Sequence, residues 1–222
     1  MSGISRAAKA AILVSALGYF VDIYDLLLFT IVREPSLSGL GVDLTVKKEV
    51  MMASTSVINW QMWGLLIGGI VWGIMGDKKG RLSVLFGSIL LYSIANFITG
   101  YVETVQHYAY ARFVAGIGLA GELGAGVTLV SELLPKNKRG VGTSLVAGIG
   151  LFGAVAAYFT YQFSQDWRLC YKIGGGLGLA IFAQQILNVG KPLALVFVQL
   201  AIFFGAGGKH RADDKIELGG MI

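Results

Sequence analysis

The chain alternates between apolar blocks of about twenty residues and short polar connections. A helix needs roughly 20 apolar residues to cross about 30 Å of hydrocarbon, so each block is long enough for one membrane span. Six spans are predicted, at residues 11–32, 53–75, 82–101, 108–130, 141–163 and 169–187. A seventh apolar run at 193–206 is short for a span, and two interpretations stay open for it: a partial or interfacial segment, or a true crossing.

Composition supports a membrane protein. Of the 222 residues, 55% are hydrophobic and 14% are charged, against about 25% charged in an ordinary soluble domain. We predict an all-α, polytopic integral membrane helical bundle, with a six-helix unit at 1–190 and a short apolar segment plus polar tail at 191–222. The net charge of +5 does not indicate nucleic-acid binding, because the basic residues lie in short loops between spans.

The positions of Lys and Arg predict the orientation. Membrane proteins carry an excess of these residues in their cytoplasmic loops. With the N-terminus in the cytoplasm, the inner side has eight basic residues and the outer side has five. The inner set is Arg6, Lys9, Lys78, Lys79, Arg81, Lys136, Lys138 and Arg139; the outer set is Arg33, Lys47, Lys48, Arg168 and Lys172. The prediction is a multi-pass protein with a cytoplasmic N-terminus, located in a bacterial inner (plasma) membrane.

Turn-forming residues predict the longest external connection. Pro35, Gly39, Gly41 and Asp43 cluster between the first two apolar blocks. Residues 33–52 are therefore predicted to form an external loop. The other connections are short, as expected for antiparallel neighbouring helices.

Glycine pairs four residues apart predict close helix packing. The pairs are Gly64 and Gly68, Gly69 and Gly73, and Gly174 and Gly178. Small residues at this spacing let helices approach closely in lipid. Because glycine is common in membrane helices in general, the pairs indicate packing faces and not a dimer interface.

Charged residues inside the apolar blocks are the strongest functional signal. A guanidinium such as Arg112 costs about 3 kcal/mol or more in hydrocarbon unless a counter-charge or water meets it. Asp22 and Asp25 lie one helical turn apart in the first block, and Glu122 lies deeper in the fourth. Two carboxylates on one helix face repel each other, which favours a proton-binding site.

Depth allows Asp25 to meet Arg112. At about 1.5 Å per residue, Asp25 lies about 9–10 Å and Arg112 about 6–7 Å below the outer ends of their spans. Charge is expensive to retain in a membrane, which favours a role in transport. A permanent structural pair is the alternative.

The connection between the second and third spans carries a second signal. Gly73, Asp77, Gly80 and Arg81 follow one another in the order Gly-x-x-x-Asp-x-x-Gly-Arg. Asp77 is expected close to a helix start, where a carboxylate can cap free amides, and Gly80 is expected to permit a tight turn. An ordinary basic inner loop would explain the charges here but not the order of these four residues.

With these motifs the chain resembles the major facilitator superfamily of secondary transporters. That superfamily's loop signature is matched by Gly73, Asp77, Gly80 and Arg81. Its fourth-span pattern Arg-x-x-x-Gly-x-Gly is matched by Arg112, Gly116 and Gly118. The continuations Gly121-Glu122, Ser131-Glu132-Leu-Leu-Pro135 and Lys138-Arg139-Gly140, with Tyr24-Asp25 in the first span, look like the metabolite–proton symporter branch, which includes sugar-carrier-like proteins. The resemblance covers residues 11 to about 187.

The resemblance implies a transporter. The function expected is secondary active transport of a small polar metabolite by alternating access, coupled to protons. Asp25, with Asp22, would take part in proton coupling, and Arg112 and Glu122 would belong to the same relay or to the substrate site. Asp77 and Arg81, with Gly73 and Gly80, would form a cytoplasmic gate. No cofactor or metal is implied, and the partners are the lipid bilayer, a small-molecule substrate and the proton.

The family pattern also predicts a missing half. Members of the superfamily have twelve spans in two halves with the substrate between them, whereas this chain supplies six. A second copy or another membrane subunit would complete the bundle, or the chain is a fragment. The alternatives to transport are a non-transporting membrane subunit, in which the same charges tie helices together, and a receptor-like binder.

Enzymatic readings find little support in the sequence. The segments 116–121 and 148–153 match the dinucleotide-binding motif Gly-x-Gly-x-x-Gly. Each is predicted to lie inside a long apolar helix, whereas the motif requires a strand-to-helix turn. Cys170 is the single cysteine and has no metal-ligand companion, so it is expected to be apolar filler near a span end. We predict that the chain is not an enzyme.

Overall fold

The computed structural model describes residues 6–189, which form a bundle of long helices and no strand within that range. The helices are α1 (Arg6–Gly39), α2 (Lys47–Lys79), α3 (Arg81–Thr99), α4 (Val105–Leu133), α5 (Arg139–Ser164) and α6 (Trp167–Val189), with a short 3-10 helix at Lys136–Lys138. Five predicted spans each lie inside one helix, and the third extends past the end of α3. The run at 193–206 and the tail lie outside the described residues, and the division at residue 190 stays a prediction.

The first connection is shorter than the prediction of 33–52, which was wrong in extent. Helix α1 continues through Pro35 to Gly39, and α2 begins at Lys47. The apolar face of α1 continues with it, since Val32 and Leu37 are fully buried. Burial of that face offsets the backbone hydrogen bond that a proline inside a helix removes.

Asp43 organises the short turn before α2. Its Oδ1 accepts hydrogen bonds from the backbone N–H and the hydroxyl of Thr45, each at 2.8 Å. Aspartate favours such turns because its side chain can bond the backbone two residues on. These bonds stabilise the carboxylate and hold the pKa of Asp43 below its ordinary value.

Glycine brings α2 against α4. The two helices pack closely, and α1 packs mainly on α5, while α3 lies against α4 and α6. A Cβ at Gly64 or Gly68 would collide with the backbone carbonyl of Phe113 or Ile117. The predicted packing role of this pair is confirmed, because only glycine permits this backbone approach.

The two other glycine pairs behave differently. A Cβ at Gly69 or Gly73 would meet nothing within 4 Å among the described residues, so this pair does not form the predicted packing face there. A Cβ at Gly174 or Gly178 would meet a side chain of α1 or α3, which agrees with packing.

The bundle surface is strongly apolar. Trp63 on α2 is 57% exposed and Phe163 on α5 is 85% exposed. By length and hydropathy, three described segments could cross a membrane: Ser15–Gly39, Lys47–Lys78 and Lys136–Ser164. Ser83–Thr99 is a shorter apolar helix. Six crossings and the direction of the N-terminus therefore stay predictions.

Candidate functional site

Arg112 and Asp25 form a bidentate ion pair inside the bundle. Arg112 on α4 is fully buried, and Asp25 on α1 is 1% exposed. The Nη1 atom of Arg112 donates to Asp25 Oδ1 at 2.7 Å, and Nη2 donates to Oδ2 at 2.6 Å. Two parallel charge-assisted bonds fix both side chains more firmly than a single contact would. Asp25 and Arg112, which were predicted to lie at similar depths, are therefore in direct contact in the structure.

Asn96 is a member of this centre that sequence reasoning missed. Arg112 Nη1 also donates to Asn96 Oδ1 on α3, at 2.8 Å. Among the described residues, neither Asn96 Nδ2 nor Arg112 Nε has a hydrogen-bond partner. An amide in the middle of the apolar block 82–101 was the available signal, since buried polar side chains need partners.

Aromatic side chains close the other side of the guanidinium. The Cζ atom of Arg112 lies 5.3 Å from the ring centroid of Tyr171 on α6, within cation–π range. The hydroxyls of Tyr171 and Tyr108 are 2.6 Å apart. Both tyrosines are fully buried in the aromatic core near the α1–α2 connection. The charge of Arg112 is therefore held by three neighbouring helices, α1, α3 and α6.

Asp22 and Glu122 form a second carboxyl pair between α1 and α4. Asp22 is fully buried and Glu122 is 5% exposed, and their carboxyl groups lie within hydrogen-bonding reach of each other. Within the described residues, no donor reaches either oxygen of Asp22 or Oε2 of Glu122. Two carboxyls can share a hydrogen bond only when one of them carries a proton. The expected Asp22/Asp25 group is thus divided, because each aspartate faces a different residue of α4.

Gly18 makes room for this second pair. A Cβ at Gly18 would collide with Oε1 of Glu122. The backbone of α1 therefore leaves a notch that the Glu122 side chain occupies, one turn before Asp22.

Buried tyrosines tie the neighbouring helices to α1. Tyr24 donates to the carbonyl oxygen of Cys170 at 2.9 Å, and Tyr92 donates to the carbonyl oxygen of Val21 at 3.1 Å. Cys170 itself is fully buried in the core, and its sulfur lies 3.3 Å from the hydroxyl of Ser164.

The turn between α2 and α3 carries the four-residue motif. Gly80 has φ 88° and links the end of α2 to the start of α3 at Arg81, as the predicted tight turn requires. Asp77 lies in the last turn of α2, and the N-cap of α3 is Gly80 without a side-chain capping bond. The expected cap by Asp77 stays a prediction. Gly73 lies one turn earlier on α2.

Two surface grooves lie away from the charged centre. The larger has a volume of about 930 Å³ and follows α2, with Trp60, Trp63 and Phe113 among its lining residues. The smaller, of about 510 Å³, lies between α3 and α4 and includes Glu103 and His107. Neither groove is lined by the four charged residues of the centre, which are at most 5% exposed and therefore face the interior of the bundle: Asp22, Asp25, Arg112 and Glu122.

Comparison with known proteins shows which family this chain belongs to. The Major Facilitator Superfamily model matches residues 10–204, and the chain belongs to that family of membrane transporters. It is thus an integral membrane protein of a transporter family and not of an enzyme family.

Three curated relatives are transporters by name. A putative metabolite transport protein of Haemophilus influenzae is 33% identical over 170 residues, covering 74% of this chain and 39% of the relative. The sialic acid transporter NanX of Escherichia coli is 27% identical, covering 75% and 40%. The niacin transporter NiaP of Acinetobacter baylyi is 33% identical over 116 residues, covering 50% and 26%. The chain spans less than half the length of each.

A solved structure shares the fold. The proton:xylose symporter XylE, bound to 6-bromo-6-deoxy-D-glucose, superposes with a TM-score of 0.71 at 16% identity. The match covers 87% of this chain and 49% of that one. The likeness shows that the bundle corresponds to about half of a known transporter structure.

Proposed function

We propose that this chain is one half of a secondary transporter that moves a small organic acid together with a proton by alternating access. The observation that carries the proposal is the buried bidentate pair of Asp25 and Arg112 between α1 and α4. A purely structural bundle gains little from such a pair, because apolar residues of similar volume often stabilise as well or better.

The pair can couple a proton to an anion. While Asp25 is ionised, its charge compensates Arg112 and the centre is neutral overall. A proton on Asp25 leaves the guanidinium as an uncompensated buried cation, a state that costs about 3–5 kcal/mol when one partner of such a pair is removed. An anionic substrate would supply the lost counter-charge. Binding of the proton and of the anion would therefore support each other.

The chemistry of Arg112 favours a carboxylate as that anion. A guanidinium presents a planar fork of donors that matches a carboxylate with two parallel bonds, as Asp25 shows here. Sialic acid and niacin, the substrates in the names of two relatives, are both carboxylic acids. The proposed substrate is a small metabolite with one carboxylate, which would replace Asp25 on Arg112.

Asp22 and Glu122 extend the proposed proton route. Asp22 lies one turn from Asp25 on α1, and its carboxyl is within reach of Glu122 on α4. A proton released by Asp25 could then be shared by this second pair. The route would run along the α1–α4 interface toward the end of the bundle that carries the α2–α3 turn.

That turn is the proposed gate. Gly80 connects α2 and α3 through a backbone conformation that favours glycine, so the two helices are joined by a single residue. With a cytoplasmic N-terminus and six crossings of the plasma membrane, Gly73, Asp77, Gly80 and Arg81 would form the cytoplasmic gate that stabilises one access state.

A second six-helix half is proposed to complete the transport path. In transporters built from repeats, the substrate site lies at the interface between the halves. The relatives are more than twice as long as their matched segments, and α2 and α5 expose large apolar side chains such as Trp63 and Phe163. A second copy, another membrane subunit or further chain could provide that half.

Uptake into proteoliposomes tests the proposal. The chain is reconstituted together with the half that completes its bundle, whether a second copy, another subunit or further chain. Entry of radiolabelled sialic acid and nicotinate is followed with and without an inward proton gradient, with xylose as an uncharged comparison. Acid uptake driven by the gradient is expected, and Asp25→Asn should abolish it while the protein remains inserted. The matched control is Asp43→Asn, the same chemical change at an exposed turn. Gradient-independent uptake, or full uptake by Asp25→Asn, would refute the coupling.

A non-transporting membrane subunit is the second candidate, because the charged centre faces the bundle interior. Purification from native membranes separates the two functions. A stable complex with a different membrane protein, combined with no stabilisation by the labelled acids, would favour the subunit.

A further inference from the structure

Arg112 donates a hydrogen bond to Asn96 on a third helix, α3, and the side chain of Asn96 does not change charge with pH. Asn96 on α3 is 1% exposed, and its Oδ1 accepts from Arg112 Nη1 at 2.8 Å. The same Nη1 donates to Asp25 Oδ1 at 2.7 Å. One nitrogen of the guanidinium is therefore shared between α1 and α3.

The other side chains around Arg112 are acidic groups or tyrosines, and none of them offers the neutral carbonyl acceptor that Asn96 provides. Asp25 approaches from α1, Tyr108 precedes Arg112 by one turn on α4, and the ring of Tyr171 covers the guanidinium from α6. Asp22 and Glu122 lie deeper on α1 and α4, and Tyr92 lies on α3 one turn from Asn96. Asn96 differs from all of them because an amide carbonyl accepts a hydrogen bond equally well before and after a nearby carboxylate takes up a proton.

We propose that Asn96 is a positioning residue that keeps the Arg112 guanidinium attached to α3 when Asp25 becomes neutral. The inference rests on the proposed function, in which Asp25 takes up a proton. Protonation weakens the tie between α1 and α4 but leaves the tie between α3 and α4. Arg112 then stays in place for an incoming anion, while one of the contacts that hold α1 against α4 is weakened.

The contact is large enough to affect the equilibrium. Hydrogen bonds that involve a charged group change an equilibrium by about tenfold to a hundredfold. Without Asn96, the neutral form of Asp25 would leave the guanidinium with the Tyr171 ring and no carbonyl acceptor from α3. The protonated state would become rarer by a factor in that range.

The first test compares the effect of Asn96→Ala in two backgrounds. Asp25→Asn imitates the neutral carboxyl, and unfolding of the full chain in detergent micelles is measured for both single variants and the double variant. If Asn96 acts mainly when residue 25 is neutral, Asn96→Ala should change the unfolding equilibrium about tenfold more in the Asp25→Asn background than in the wild-type chain. A structural hydrogen bond of ordinary kind would cost the same in both backgrounds, and that result would overturn the proposal.

The matched control lies on the same helix. Thr99 is fully buried, and its hydroxyl donates to the carbonyl of Ala95 in its own helix at 2.8 Å. Thr99→Val removes a buried hydrogen bond three residues from Asn96 with little change in shape. Its cost should be equal in the two backgrounds.

The second test uses the pH dependence of nicotinate uptake in proteoliposomes. Since a rarer protonated state needs more acid, Asn96→Ala should move the half-maximal pH about one unit lower, which corresponds to a tenfold change. Thr99→Val should leave it in place. An unchanged half-maximal pH in Asn96→Ala, with wild-type uptake present, would overturn the proposal. If the wild-type chain, reconstituted with the half that completes its bundle, takes up no labelled acid, the proposed function fails, and the unfolding comparison still decides the role of Asn96.

Discussion

The buried Asp25–Arg112 pair leads us to predict that replacing Asp25 and replacing Arg112 will change the stability of the bundle differently. Asp25→Asn leaves a guanidinium buried without its counter-charge, and removing one partner of a buried pair costs about 3–5 kcal/mol. The lower value is expected because Asn96 and the Tyr171 ring still contact Arg112. A loss of about 3 kcal/mol corresponds to a factor of about 150 in the unfolding equilibrium.

Substitution of the other partner, Arg112, is expected to behave differently because a carboxyl can be neutralised by a proton and a guanidinium cannot. Arg112→Gln leaves a buried carboxylate, which can neutralise itself by taking up a proton, whereas a guanidinium stays charged at every accessible pH. The penalty of Arg112→Gln should therefore decrease as the pH is lowered, and the penalty of Asp25→Asn should not. The double variant carries no buried charge in this pair and should recover most of the stability lost by Asp25→Asn.

The assay is reversible unfolding of the purified chain by SDS in mixed micelles, followed by loss of helical circular dichroism across a range of pH. A loss below about 1 kcal/mol for Asp25→Asn would show that the pair is solvated like a surface salt bridge. Equal pH dependence of the two single variants would likewise refute the reasoning. Either result removes the buried pair as the basis of coupling.

Three further outcomes follow from the contacts around the site and the helix interface. Gly18→Ala should displace the carboxyl of Glu122 and weaken proton-driven uptake, measured as initial rate at constant protein amount. Gly68→Leu should destabilise the bundle by about 1–3 kcal/mol through overpacking, while Gly69→Leu, which faces open space, should stay close to wild type in the SDS assay. The lowered pKa of Asp43 stabilises its turn above the carboxyl's unfolded-state pKa, and this contribution is lost as the pH falls through the folded-state value. Amide exchange of that turn should therefore quicken on acidification in the wild-type chain and depend less on pH in Asp43→Ala.

The helical architecture could be predicted from the sequence because lipid offers no hydrogen bonds to the backbone. A chain that enters hydrocarbon must satisfy its own amides, which favours helices whose length matches the bilayer. The predicted blocks accordingly lie in six helices. The first connection was mispredicted because Pro35 and Gly39 are typical of loops, yet burial of Leu37 continues α1 through both. Local propensity was overridden there by packing.

The charged residues of the site could be predicted from the sequence, but which of them contact each other could be predicted only in part. Arg112, Asp25, Asp22 and Glu122 stand out in sequence because charge is rare in apolar blocks. The spacing of Asp22 and Asp25 suggested one shared group, but their side chains face different residues of α4. The separation depends on the rotation of α1 against α4, which sequence spacing does not give.

By itself, the sequence determined that the chain is helical, that it is apolar enough for a bilayer, and that four charged groups are retained where hydrocarbon opposes them. The reason is that backbone hydrogen bonding and charge solvation act at each residue and are visible in local composition. Only the tertiary structure decided that Arg112 bonds Asp25 and Asn96 together, and that Glu122 faces Asp22 in the notch at Gly18. These contacts depend on which helices are neighbours and how each is rotated, and both follow from the packing of whole helix faces across the bundle.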